Sequence, residues 1–431
     1  MFQTLRNAWK IPDLRKKLLY TLLMLVIFRL GSYIPVPGID PTVFAEALRL
    51  GGEGGGIQGL LNNFSGGALE RASIFAMSIT PYINSSIILQ LLTVAIPALE
   101  RLAKEGEEGR KKIASYTRYL TVVLAFVQAT GLYFGLSSAM TEKGLFAYLV
   151  VTFTFTAGTA FLMWLGEQIT EKGIGNGISL LIVIGIVSRG PAAIISMAAM
   201  FEGGASIAAI AKVIGILVIA VVVIGFVVMF NEAERKIPVQ YAKRVVGRKT
   251  YGGQSTHIPM KVIMAGVMPI IFAVSIMSFP QTISMFIDGA NGPEPGIWAT
   301  ILSWFKQSHP FYIVCYFLLI LFFTYFYTAI QFNPIEVANN IKRNNGSIPG
   351  IRPGKPTSDY IAKVLSKTTL LGAFFLGIIA IFPLLLAIIM PEAAGISIGG
   401  TSLLIVVGVS LETVKNIESQ MLMRHYKGFL E

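Results

Sequence analysis

Ten apolar runs dominate this chain, each close to the ~20 residues a helix needs to cross the hydrocarbon core of a bilayer. They lie near 18–36, 74–97, 116–137, 145–167, 177–200, 207–230, 262–287, 310–332, 368–390 and 400–423. In lipid every backbone N–H and C=O must find its partner inside the protein, so runs of this length fold as helices. Composition agrees. Of 431 residues, 54% are hydrophobic and only 13% are charged, where soluble domains carry about 25% charge. Mean hydropathy is +0.68. A soluble enzyme, a disordered chain and a disulfide-rich secreted domain are all excluded. The single Cys315 has no partner for an internal disulfide. The first run is long for a signal-peptide core and no small-residue cleavage site follows it, so it is expected to remain as a span.

The formal net charge is +12. What matters is where the cations sit between the apolar runs. With the N-terminus in the cytosol, all but seven of the 35 lysines and arginines fall in cytosolic stretches. The exceptions are Arg29, Arg49, Arg71, Lys143, Arg189, Lys212 and Lys306. The expected fold class is therefore an all-α integral membrane protein with ten spans and both termini cytoplasmic. Five spans lie on each side of residue 203. An odd number per half makes the second half enter from the opposite side, so residues 1–203 and 204–431 are expected to form two inverted halves, a recurring device of transport proteins.

No catalytic constellation stands out. His257, His309 and His425 are far apart and at membrane edges, and metal-site spacing is absent. There is no phosphate-binding P-loop, so energy from a nucleotide would have to come from a partner. Mid-span carboxylates, which ion-coupled carriers use, are almost missing. Glu412 and Glu418 sit near the inner end of the last span, and Arg29 lies near the outer end of the first, where it could snorkel to water.

Before the second span, Ile57, Leu60, Leu61 and Phe64 fall at helical spacing. Gly54, Gly55 and Gly56 precede them, and Gly66 and Gly67 follow. The segment is too short to cross and reads as a small helix on glycine hinges, about 54–70. Span two carries Ser73, Ser78, Thr80, Asn84, Ser85, Ser86 and Gln90, and span five opens with KGIGNGIS (172–179). Such crowding marks helix packing or an aqueous path. Two long cytosolic loops, about 231–261 and 333–367, are basic and rich in turns, as a docking surface for an acidic face or RNA phosphates would be.

These residues resemble the SecY/Sec61-alpha family over nearly the whole chain. The motifs that carry the resemblance are RLGSYIPVPGID (29–40), NNFSGGALERASIFAMSITPYINSSIILQLLTV (62–94), KEGEEGRKKIASYTRY (104–119), FLMWLGEQITEKGIGNGIS (161–179), YAKR (241–244), QSTHIPMKV (254–262), FNP (332–334), PGIRPG (349–354) and GGTSLLIVV (399–407).

The resemblance implies a clamshell of two halves around an hourglass pore that passes unfolded polypeptide and releases apolar segments sideways into lipid. It implies a pore ring of Ile79, Ile83, Ile178, Ile182, Ile271 and Ile405, and a plug carrying Ile57, Leu60, Leu61 and Phe64. It places a lateral gate between spans two and three on one side and seven and eight on the other, with Gln90 and Asn176 as its polar residues. Ile263 stands where some relatives have a third, Asn. It implies docking of the SecA motor ATPase or the ribosome on Arg352, and next on Arg235, Lys243, Arg244, Arg248 and Lys249. It implies SecE and SecG as membrane partners, signal sequences and unfolded secretory or membrane proteins as cargo, no cofactor, no enzymatic activity, and a bacterial plasma membrane location. The competing expectation is a multi-span secondary transporter of a small solute, which a mid-membrane ionisable pair would favour.

Overall fold

The computed structural model describes residues 2–50, 65–135, 140, 144–199, 207–241, 244–246, 249–251, 255–288, 296–305, 309–389 and 400–427. The expected plug residues Ile57, Leu60, Leu61 and Phe64, and the expected docking residues Lys243 and Arg248, lie outside the described residues.

The N-terminal part contains α1 (Phe2–Lys10), α2 (Pro12–Gly31), α3 (Pro41–Leu50), α4 (Thr80–Ala95), α5 (Pro97–Lys104), α6 (Glu107–Gly135), α7 (Leu145–Lys172), α8 (Gly177–Val187) and α9 (Gly190–Ala199). After residue 203 come α10 (Ile207–Glu232), α11 (Met268–Asp288), α12 (Ile297–Trp304), α13 (Pro310–Gln331), α14 (Pro334–Arg343), α15 (Lys355–Ile389) and α16 (Gly400–Lys427). By length and composition, four helical stretches of the described residues can cross a membrane: Leu145–Lys172, Val213–Glu232, Pro310–Arg343 and Lys355–Leu385. Thr80–Ala95 with Pro97–Lys104 passes as a pair bent by 101°. The bend follows from Pro97, which has no N–H and forces Ile96 into extended backbone (φ −106°, ψ 112°).

Two features depart from uninterrupted spans. The run expected at 74–97 is helical only from Thr80. Residues 65–79 form tight turns, with Ala72 and Ser78 in the left-handed region (φ 47° and 52°). Their backbone finds partners locally and on the neighbouring loop, as in Val36 N to Ala72 O (2.9 Å) and Ile74 N to Ile34 O (3.0 Å). Irregular backbone at membrane depth survives only when protein buries it, and Ser65, Ala68, Leu69, Ala72, Ser73 and Ala76 are fully buried. Glycines make the room. A Cβ on Gly31 would strike the Phe75 ring, and one on Gly158 would strike the Ile74 carbonyl.

The second departure is a small β-structure outside the helices. Strands β1 (Glu234–Tyr241), β2 (Arg244–Val246), β3 (Lys249–Tyr251) and β4 (Ser255–Lys261) follow α10, and β5 (Gly346–Ser347) follows α14. β4, β1 and β5 form an antiparallel sheet, with Ile237 opposite Ile258 and Gln240 opposite Ser347. Alternation along β1 buries Ile237 and Val239 and exposes Lys236, Pro238 and Gln240.

Residues before and after 203 meet along two fronts. α16 packs on α8 and α1, while α11 packs on α6 and α4. Within the later part, α11 leans on α13, α13 on α15, and α10 on α16.

Candidate functional site

Between those two fronts lies one large apolar cluster. Ile79, Ile83, Ile182, Ile271 and Ile405 are all buried within it, and the partly buried Ile178 packs against it. Each is placed by a helix start. Ile79 precedes the first residue of α4, and Ile83 follows one turn on. Asn176 caps α8 by accepting from Ile178 N (3.1 Å) and Ser179 N (3.3 Å), which sets Ile178 and Ile182 on one stripe. Ile271 lies in the first turn of α11 and Ile405 early in α16. Four helices thus contribute six β-branched side chains with no hydrogen-bonding group.

Gln90 on α4 is held at both ends. Its Nε2 donates to Ser86 Oγ (3.2 Å), and the Tyr327 hydroxyl on α13 donates to its Oε1. Asn176 is not brought together with Gln90. The helix it caps has α7, α16 and α2 as its main neighbours, on the other front. Ile263 is buried among apolar groups of the same cluster. Sequence reasoning missed Tyr327. Its span also carries Tyr312, Tyr316 and Tyr325, and nothing in the sequence separates the one that reaches across.

Arg29, near the C-terminal end of α2, binds three neighbouring groups. Its Nη1 donates to Ser188 Oγ (2.9 Å) and Gly66 O (3.3 Å), and its Nη2 to the Tyr33 hydroxyl (3.3 Å). The Tyr33 ring also receives the Arg71 guanidinium at 4.3 Å from its centroid.

The basic loops form a module with its own apolar core. Ile237, Val239, Met260, Ile341, Ile348, Ile361 and Leu365 are buried together. α14 is started by Asn333, which accepts from Ile335 N (3.1 Å), and Pro334. It buries Ala338 and Ile341, and Ile341 belongs to that core. Arg352 is exposed on a turn between Gly350 and Gly354, both left-handed (φ 79° and 108°). Thr357 Oγ1 donates to the Arg352 carbonyl at 2.9 Å and fixes the turn to the start of α15. Arg235 is exposed on β1. Arg244 opens β2 and Lys249 opens β3, the two arms of the hairpin tip. Among the described residues no group of His, Cys, Asp and Glu is arranged to hold a metal ion.

Comparison with known proteins places this geometry. The SecY family model matches residues 73–414. The Protein translocase subunit SecY of Streptomyces galbus is 46% identical over the full length of both chains. A solved structure concerning the SecY plug domain, described as stabilising the closed state of the translocation channel and maintaining a membrane seal, superimposes with a TM-score of 0.63 at 19% identity, covering 94% of this chain and 92% of that one. Sec61 in the canine ribosome–channel complex from the endoplasmic reticulum gives a TM-score of 0.58 at 18% identity, with the same coverage.

The fold is therefore that of a helical membrane channel. The chain belongs to the SecY family and is a protein translocase subunit, a channel component rather than an enzyme. The small-solute transporter reading is not favoured.

Proposed function

We propose that this chain forms the polypeptide pore of a translocase in a bacterial plasma membrane, with ten spans and both termini in the cytoplasm. Unfolded chains cross through the ring of Ile79, Ile83, Ile178, Ile182, Ile271 and Ile405. The buried cluster that holds five of these residues, with the partly buried Ile178 packed against it, carries the reading. An apolar constriction dewets and blocks ions, yet offers a sliding chain no lasting hydrogen bond. The ring also suits two inverted halves, 1–203 and 204–431. Inversion makes span two equivalent to span seven, and span five to span ten. The ring draws its isoleucines from α4 and α11, and from α8 and α16, which are those two pairs.

The segment about 54–70 is the plug that seals the resting pore from outside. The lateral gate opens where α4 and α6 face α11 and α13. Leu-like residues gain roughly 0.3–0.6 kcal/mol each on insertion at mid-helix. About ten of them supply the few kcal/mol needed to tip a two-state gate. Arg352 and the basic hairpin dock the SecA motor or the ribosome. SecE and SecG complete the complex.

The test is ion conductance of the chain with its small membrane partner in a planar bilayer, with and without residues 57–67. A sealed intact channel and a leaky deletion are expected. Absence of conductance in the deletion, even after Ile83 and Ile182 are replaced by glycine, would sink the pore.

A further inference from the structure

Three arginines gather where α2 and α8 end. Arg29 spends its hydrogen bonds on Ser188 Oγ (2.9 Å), Gly66 O (3.3 Å) and the Tyr33 hydroxyl (3.3 Å). All three acceptors are neutral, so its donors are satisfied and its charge is not. Arg71 sits in a turn closed by its own N–H on Gly67 O (3.3 Å), and its guanidinium lies over the Tyr33 ring at 4.3 Å from the centroid. Among the described residues no ion pair joins Arg29 or Arg71 to a carboxylate. Arg189, next to Ser188, interacts electrostatically with Arg71 and with Glu70. Three guanidinium groups and one carboxylate, Glu70, make up the cluster, and Arg71 and Tyr33 are its exposed members.

An exposed apolar stripe runs up to this cluster. Leu19, Leu22, Val26 and Leu30 recur at helical spacing on α2, and Tyr33 continues the line. The 20 residues of α2 rise about 30 Å, the thickness of the hydrocarbon core. A span of that length beginning at Pro12 brings Arg29 and Tyr33 to the opposite headgroup level, where tyrosine is favoured.

We propose that Arg71 and Tyr33 hold the phosphate of an anionic phospholipid whose acyl chains lie along the α2 stripe, with the charge of Arg29 and Arg189 added to theirs. The inference rests on α2 being a span. A phosphate accepts two parallel bonds from one guanidinium. The Tyr33 hydroxyl accepts from Arg29, which leaves its own proton for the phosphate. Charge complementarity selects an anionic lipid over a zwitterionic one, whose headgroup would bring a cation of its own against the arginines. The stripe selects a lipid over a soluble anion, because a lipid covers apolar area and offsets the cations at once.

The experiment reconstitutes the complete translocase in vesicles with Val26→Trp on the stripe as reporter. It is the sole tryptophan, since Trp9, Trp164, Trp298, Trp304 and any in the partner subunits are replaced by phenylalanine. Brominated phosphatidylcholine and brominated phosphatidylglycerol quench on contact, so their competition gives a relative affinity at the stripe. A preference for phosphatidylglycerol is expected, falling about fivefold in Arg71→Gln and rising in Glu70→Gln, which removes the competing carboxylate. Equal quenching by both lipids, or a preference that Arg71→Gln leaves intact, overturns the site while α2 remains a span. If neither lipid quenches the reporter until the partner subunits are removed, protein covers the stripe and the lipid site falls. If neither quenches it in any form, the reading of α2 as a lipid-facing span falls and the site with it.

Discussion

Arg29 donates a hydrogen bond to Ser188 at 2.9 Å, joining the C-terminal ends of α2 and α8 across 159 residues of sequence. The same guanidinium nitrogen holds the Gly66 carbonyl, and the Ser188 hydroxyl donates in turn to Gly185 O (2.6 Å). Gly66 adopts φ +65°, and a Cβ there would lie 2.5 Å from Ser188 Oγ and 2.9 Å from Arg29 Nη1. A planar fork serves three acceptors at once, which a lysine ammonium on a flexible stem does less well.

Arg29→Leu is expected to lower stability by about 2 kcal/mol, because two partly buried acceptors lose a charged donor. Arg29→Lys should recover part of that. Thermal inactivation of the purified complex reports it. An unchanged midpoint for the leucine variant would show the contacts to be incidental.

Gly158→Ala should be worse than Gly31→Ala. At Gly158 the obstacle is the Ile74 carbonyl, fixed in the irregular 65–79 stretch. At Gly31 it is the Phe75 ring, which can shift. Overpacking of about 1–3 kcal/mol is expected at position 158. Folded yield and melting of the two variants settle the order, and equal behaviour would contradict it.

Arg352→Glu is expected to cut motor-driven transport more than about tenfold by reversing charge at a docking point. The channel itself should still insert, since the side chain is exposed. Normal transport in such vesicles would refute the assignment. Ile341→Ala makes a useful contrast. It removes a buried side chain from the module core, at about 2–5 kcal/mol. It should weaken motor binding and make the loops protease-sensitive without altering any charge.

Glycine at Ile83 and Ile182 should raise ion leak further when residues 57–67 are absent. Both side chains are buried in the central cluster, Ile83 at 8% and Ile182 at 3% exposure. Removing them widens and wets the constriction. Single-channel current measures this directly, and no added current would argue against a ring that seals by dewetting.

The amino-acid sequence by itself determined the class of molecule. A span must satisfy its backbone within about 20 neighbouring residues, so hydropathy is a local signal that survives without any tertiary contact. The charge bias is equally local, and long runs such as FLMWLGEQITEKGIGNGIS carried the family. Tertiary structure decided the rest. It broke the run at 74–97 into turns and a helix, because burial against Gly31 and Gly158 made irregular backbone tolerable. It gave Asn176 a cap on α8, away from Gln90, and gave Gln90 the Tyr327 hydroxyl. It built a sheet with its own core from loops that read only as basic and turn-rich. Helix-to-helix partners are chosen among chemically similar apolar and aromatic side chains, often more than a hundred residues apart. Lipid makes all of them equally welcome inside, so only packing geometry selects which two meet.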